Sequence, residues 1–207
     1  MDPWAAKSHG ANFGSHSVGG DRDAHHSPRD AVTETADSVF DDLGLLGATD
    51  HQIDVLVGGP PCQAFARVGR AKLREQARLR EEVTADQAFL VDGRVSLWER
   101  YVAFIRATKP VALLMENVPD ILNHGGINVA ELVSKSLDEE GYDVAYTLLN
   151  SAWYGVPQIR ERMILVGVHR AAGVKPRFPV PTHHLVLPSG YISSKNAARR
   201  VLKAEGS

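Results

Sequence analysis

Apolar positions along the chain fall into short runs separated by turn signals. Ile53-Asp54-Val55-Leu56-Val57 is one such run, closed by Gly58-Gly59-Pro60-Pro61, and it predicts a buried strand. Val111-Ala112-Leu113-Leu114-Met115 predicts a second strand, entered from Lys109-Pro110. Between them Leu97, Tyr101, Phe104 and Ile105 recur at helical spacing, so a helix is expected to stop at that proline. A further helix is expected over residues 127–140, ended by Gly141, and strands over Asp143–Asn150 and Arg162–Val168. Upstream, Ser27-Pro28-Arg29-Asp30 carries a hydroxyl, a proline and an acid in the order of a helix start. Val32, Ala36, Val39, Phe40 and Leu43 follow it, and Gly44 closes the segment.

Strand, helix, strand, helix in this order argues for an α/β fold with a parallel sheet. The last two strands have only Ser151–Ile159 between them and are expected to pair antiparallel, as a hairpin at the sheet edge. Residues 14–28 read as irregular loop, and the charged stretch from Cys62 to about Val95 as a long mobile loop with helical turns. From residue 171 onward Pro, Gly and Ser dominate. The division expected is one α/β domain over 1–170 and, over 171–207, a linker leading into a further module.

Composition narrows the class without naming it. The 207 residues are 43% hydrophobic and suit one globular domain. A single cysteine makes no internal disulfide, no apolar run is long enough to span a membrane, and the cytoplasm is the expected location. A net charge of −2 provides no global attraction to nucleic acid. Arg67, Arg70, Lys72, Arg74, Arg78 and Arg80 nevertheless crowd one segment, where Glu75, Glu81 and Glu82 also permit a solvated helix face. Histidines at 25–26 and 183–184 lack ligand spacing, so no metal site is expected.

In open α/β sheets ligands bind at the carboxyl ends of the strands. Two such ends carry polar residues: Gly-Gly-Pro-Pro-Cys62 after the first strand, and Glu116-Asn117 after the second. If the last strand runs antiparallel, its beginning, Gln158-Ile159-Arg160-Glu161-Arg162, lies at the same edge, with Arg160 and Arg162 facing one way. Each piece alone has an ordinary structural reading: a small buried hydrophobe, a loop partner, a solvated strand edge. All three at one edge point instead to a cleft shared by a thiol, a carboxyl and two guanidinium groups. No histidine stands where it would pair with Cys62, which weakens a cysteine hydrolase reading.

The segments "GGPPCQAF", "MENV" and "QIRER" resemble the three central motifs of the cytosine-5 DNA methyltransferases. The likeness runs to about residue 170 and fades into what resembles the start of a target-recognition region. It implies a Rossmann-like S-adenosylmethionine-dependent methyltransferase sheet, incomplete here and ending in an antiparallel hairpin. It also implies a reaction in which Cys62 adds to C6 of a flipped cytosine so that C5 can take the methyl group. Glu116 matches the acid at N3, a role that needs a carboxyl of raised pKa. Cys62 needs a depressed pKa to supply the thiolate. Arg160 and Arg162 match the pair that hold the base, Arg160 nearer to it. Pro60, Gln63 and Asn117 are implied as substrate contacts, and Arg67 and Arg70 as phosphate contacts in a mobile loop. Asp21, Pro61 and Leu97 match positions lining the cofactor site.

The cofactor site departs from the family pattern. A Gly-rich turn, its strand and a ribose-binding acid have no counterpart before Met1, and most of the recognition region is lacking after residue 170. The expectation is a partly encoded S-adenosylmethionine site, an exposed apolar sheet edge and a chain that alone is weakly active or inactive. DNA is the expected partner, with a second polypeptide supplying the missing segment and a cognate restriction endonuclease as further candidates. The alternatives are a tRNA cytosine-5 methyltransferase, one half of a split enzyme, or a non-catalytic DNA-binding remnant.

Overall fold

The computed structural model describes residues 3–13, 28–30, 33–42, 53–60, 97–123 and 128–184. In chain order these form α1 (Pro3–Phe13), α2 (Ala36–Asp42), β1 (Val55–Gly58), α3 (Leu97–Thr108), β2 (Ala112–Asn117), α4 (Val129–Glu139), β3 (Tyr142–Asn150) and β4 (Glu161–His169). Short 3-10 turns follow β2, β3 and β4, at Pro119–Leu122, Ser151–Tyr154 and Arg170–Ala172. The four strands make one mixed sheet in the order β1-β2-β4-β3. β1 and β2 are parallel, whereas β4 runs antiparallel to both β2 and β3. The expected Rossmann-like α/β arrangement with a terminal antiparallel hairpin is what the described residues adopt.

Alternation along the strands assigns the two faces of the sheet. Leu113 and Met115 of β2 and Met163 and Leu165 of β4 are buried, and they pack with Val102 and Ile105 of α3 and Val133 and Leu137 of α4. This is the core, and it covers one face. On the opposite face, Val55 and Val57 of β1 stand 56% and 67% exposed. Among the described residues β1 is also an edge strand, so an apolar, open edge of the expected kind is present.

Two boundaries differ from the sequence reading. The start at Ser27-Pro28 is not used: residues 28–30 are irregular and α2 begins only at Ala36. The competing signal is a reciprocal cap, in which Thr35 Oγ1 accepts from the Ser38 amide at 3.1 Å and Ser38 Oγ accepts from the Thr35 amide at 3.0 Å. β2 extends two residues beyond Met115, because Glu116 and Asn117 pair with Ile164 and Met163 of β4. The β3–β4 hairpin lies at the sheet edge as expected, with β3 outermost and β4 joining it to β2. The expected loops over 14–27 and 61–96 lie outside the described residues.

The far end of the sheet is tied together by polar contacts. α3 stops at Thr108 before Pro110, whose carbonyl accepts a 2.7 Å hydrogen bond from the buried Tyr142 hydroxyl. Burial, reinforced by the charge of Glu140, pushes this phenol up to about 12. Gly141, at φ +90°, supplies the left-handed turn between α4 and β3. Beyond β4, Arg170 pairs with Asp138 and Asp143, and Lys175 Nζ lies 2.7 Å from Asp143 Oδ2. The chain then returns along the hairpin, where the amides of Thr182 and His183 donate to the Trp153 carbonyl at 3.0 and 2.9 Å.

Tyr142→Phe leaves the Pro110 carbonyl without its donor and is expected to cost about 1–3 kcal/mol, read as a lower urea midpoint. The Lys175 hydrogen bond, aided by the Lys175 and Arg170 charges and opposed by desolvation, holds the Asp143 carboxyl below its ordinary value. A carboxyl lowered on folding stabilises the protein above its unfolded pKa of about 3.9 and loses that contribution as pH falls through the lower folded value. The urea midpoint of Asp143→Asn is therefore expected to lie below that of the wild type near neutral pH. The two are expected to converge in acid.

Candidate active site

The carboxyl end of β2 is where the polar residues gather. β2 is hydrogen-bonded on both sides, by β1 and by β4, so its last residues are held in place by two neighbours. Glu116 faces away from the α3/α4 core, on the same side as Val57, while Asn117 faces the core. β4 starts beside this point because it runs antiparallel to β2, and Arg162 shares the face of Glu116.

The guanidinium groups converge on one carboxylate oxygen. Arg162 Nε lies 2.8 Å from Glu116 Oε1, and Arg160 Nη2 lies 4.0 Å from the same atom. Arg162 is further held by a 2.7 Å bond from Nη1 to the Glu161 carbonyl. The other carboxylate oxygen, Oε2, is turned toward Gly59 at the end of β1, where an added Cβ would come within 3.7 Å of it. The Glu116 and Arg160 side chains are about half exposed and Arg162 is a quarter exposed. An ion pair this accessible contributes at most about 1 kcal/mol to stability. Its consequence is orientation: one carboxylate edge is occupied by arginine and the other faces the end of β1.

Asn117 ties that end to β2. Its side chain is 2% exposed; Nδ2 donates to the Pro60 carbonyl at 3.1 Å and Oδ1 accepts from the Val118 amide at 2.9 Å. The segment leading to Arg160 is closed in a similar way. The Ser151 amide donates to the Arg160 carbonyl at 3.0 Å, and Ser151 Oγ donates to the Gln158 carbonyl at 2.6 Å. Asn150 Oδ1 accepts from the Ala152 amide and starts the 3-10 turn between them. None of these anchoring roles was legible beforehand. Asn117 was expected as a substrate contact rather than an anchor, and a serine just after a strand is too common to single out.

The structure thus brings together Glu116, Arg160, Arg162, Asn117 and Pro60. Cys62, Gln63, Pro61, Asp21, Arg67 and Arg70 lie outside the described residues. Leu97 lines a cavity of about 270 Å³ on the α3 side of β1, with Leu56, Val57, Pro60, Tyr101 and Phe104. Its apolar walls suit a flat hydrophobic ring such as adenine. No group of three or more His, Cys, Asp or Glu among the described residues is placed to hold a metal ion. No helix among them is long and apolar enough to cross a membrane.

Comparison with known proteins bears on this geometry. An open reading frame of Oceanobacillus iheyensis named as a type II methyltransferase, M.OihORF3336P, is 34% identical over 174 residues, covering 84% of this chain and 35% of the relative. The type II methyltransferase M1.HphI of Haemophilus parahaemolyticus is 27% identical over 183 residues, covering 88% and 41%. The chain therefore spans about two fifths or less of the length of these relatives. Among solved structures, the Dnmt2 methyltransferase of S. pombe superposes with a TM-score of 0.50 at 17% identity, over 86% of this chain and 43% of that one, a likeness of fold. The family model described as C-5 cytosine-specific DNA methylase matches residues 1–204, and the chain belongs to that family.

Proposed function

We propose that this chain carries the cytosine-handling part of a DNA cytosine-5 methyltransferase. The observation that supports this most is the Glu116 carboxylate held at the end of β2, with Arg162 on one oxygen and the end of β1 facing the other. Cys62 follows Pro60 by two residues, a span of at most about 7 Å. The Pro60 carbonyl is itself bonded to Asn117, next to Glu116. In this reading the thiol near that anchor and the Glu116 carboxyl serve the two edges of one pyrimidine.

The reaction follows from the weakness of C5 as a nucleophile. The Cys62 thiolate adds to C6 of a cytosine turned out of the duplex, and electron density moves through the ring toward N3, where Glu116 donates a proton or a hydrogen bond. C5 then takes the methyl group, loses its proton to a base, and expels the thiolate as the C5–C6 double bond reforms. S-adenosylmethionine, when bound, supplies the methyl group on a good leaving group. Leu97 and the apolar cavity beside Pro60 would receive its adenine, and Pro61 and Asp21 are further candidates to hold it. Arg160 and Arg162 orient the carboxyl and the base, with Arg160, the more exposed, closer to the substrate. Gln63 is a candidate substrate contact, and Arg67 and Arg70 candidate phosphate contacts. Asn117, buried with both ends of its amide engaged, positions the end of β1.

Transfer of tritiated methyl groups to mixed-sequence DNA tests the reading. The assay is run with the chain alone and with the remaining segments of a relative supplied in trans. The supplemented chain is expected to label DNA, and the chain alone to label it weakly or not at all. Cys62→Ala is expected to abolish transfer, and Glu116→Gln to slow it by roughly 10²–10⁴-fold, with little change in the urea midpoint. Full turnover by the chain alone would refute the partial cofactor site. Label in tRNA but not DNA would refute the substrate, and no label under either condition would refute the activity.

A further inference from the structure

Tyr101 lies in the core, one helical turn into α3, yet its hydroxyl reaches the backbone of two strands. The oxygen is 3.0 Å from the Leu114 carbonyl and 3.3 Å from the Leu56 carbonyl, so its one proton is shared between β2 and the parallel β1. A buried phenol needs one such partner. Here it has two, on the two strands whose ends form the site. Leu114 precedes Glu116 by two residues, and Leu56 precedes Pro60 by four.

The ring is keyed to the same place. A Cβ added at Gly58 would lie 2.5 Å from Tyr101 Cε2 and 2.7 Å from Cδ2, closer than any side chain tolerates. The first glycine of the Gly-Gly-Pro-Pro turn is therefore explained by the tyrosine ring resting on the strand, and not by approach of a ligand. The second, Gly59, faces Glu116 instead. Tyr101 and Gly58 interlock at the last residue of β1, immediately before the turn that leads to Cys62.

We propose that Tyr101 is a positioning residue, which sets the height of the end of β1 against the end of β2 by a hydroxyl shared between the two strands and a ring seated on Gly58. The proposal rests on the functional reading above for its effect on turnover, but the clamp itself stands on geometry alone. It acts through the strand ends and does not touch the reacting atoms.

Tyr101→Phe keeps the ring and removes the bridge. Amide hydrogen exchange on the full chain is expected to quicken about fivefold, the factor carried by one lost hydrogen bond. The effect is expected at Leu56–Gly58 and Leu113–Glu116, with exchange in α4 and β3 unchanged. In the supplemented methyl-transfer assay kcat is expected to fall roughly tenfold, as displaced reacting groups would produce, with the KM for DNA unchanged. Gly58→Ala is expected to reproduce both effects. Combining it with Tyr101→Leu is expected to cost less than the sum of the two single changes, because the clash is relieved. Unchanged exchange at the strand ends, or additive costs in the double variant, would overturn the clamp. Faster exchange with unaltered kcat would overturn its link to the site. A wild-type assembly that transfers no methyl group would sink the functional reading, while the exchange and double-variant arms would still decide the clamp.

Discussion

The antiparallel pairing of β4 with β2 is the constraint on which the site depends. Had β4 run parallel to β2, its first residues would lie at the other end of the sheet, a full strand length from Glu116. Antiparallel, with Glu116 opposite Ile164 and Asn117 opposite Met163, it begins where β2 ends, and Arg162 arrives on the face of the acid. The register matters as much as the direction. A slip of one residue would turn Arg162 into the core and Met163 out of it, so the buried Met163 and Leu165 fix the arginine by the same alternation that builds the core. Packing energy is thereby converted into the placement of a charge.

The other strand end is held by polar contacts. Asn117 donates to the Pro60 carbonyl from the core side of β2, and Glu116 faces Gly59 from the opposite side. The acid and the end of β1 are thus fixed by neighbouring residues of one strand that point in opposite directions. On the outer side, β1 has no strand beside it among the described residues, and its valines are exposed. The apolar cavity lined by Leu97 and Tyr101 lies against this same strand. Among the described residues the Glu116 side of the sheet is therefore held on two strands, and the outer side of β1 on none.

Much of this was legible in the residues. Periodicity located α3, α4 and all four strands to within two residues, because their apolar positions repeat cleanly and Pro110 and Gly141 mark the ends. The short Ser151–Ile159 connector was enough to predict the antiparallel hairpin, whereas the antiparallel pairing of β4 with β2, which brings Glu116 to Arg160 and Arg162, stood only as a condition. What was not legible depended on partners distant in sequence. Whether Glu116 ends the strand or follows it is decided by pairing with β4, which no local pattern encodes. The start of α2 was misread because two capping signals compete, and the reciprocal Thr35–Ser38 pair prevails over a proline preceded by serine. Gly58 was legible only as part of a strand-closing turn; that Tyr101, 43 residues on, rests against it required the fold. Cys62 was identified by its motif, and its role rests on that motif and on the anchoring of Pro60.

The central claim is that Cys62, Glu116 and the two arginines act on one cytosine. The most direct measurement uses mixed-sequence DNA in which 5-fluorocytosine replaces cytosine, incubated with S-adenosylmethionine and the chain supplemented with the segments of a relative that lie outside the matched region. Fluorine at C5 cannot leave as a proton does, so the thiolate cannot be expelled once the methyl group is in place. A protein–DNA adduct that survives denaturation, with the modified base mapped by mass spectrometry to Cys62, is the result this account predicts. Methyl transfer to ordinary cytosine without any such adduct, or an adduct mapped to another residue, would contradict it.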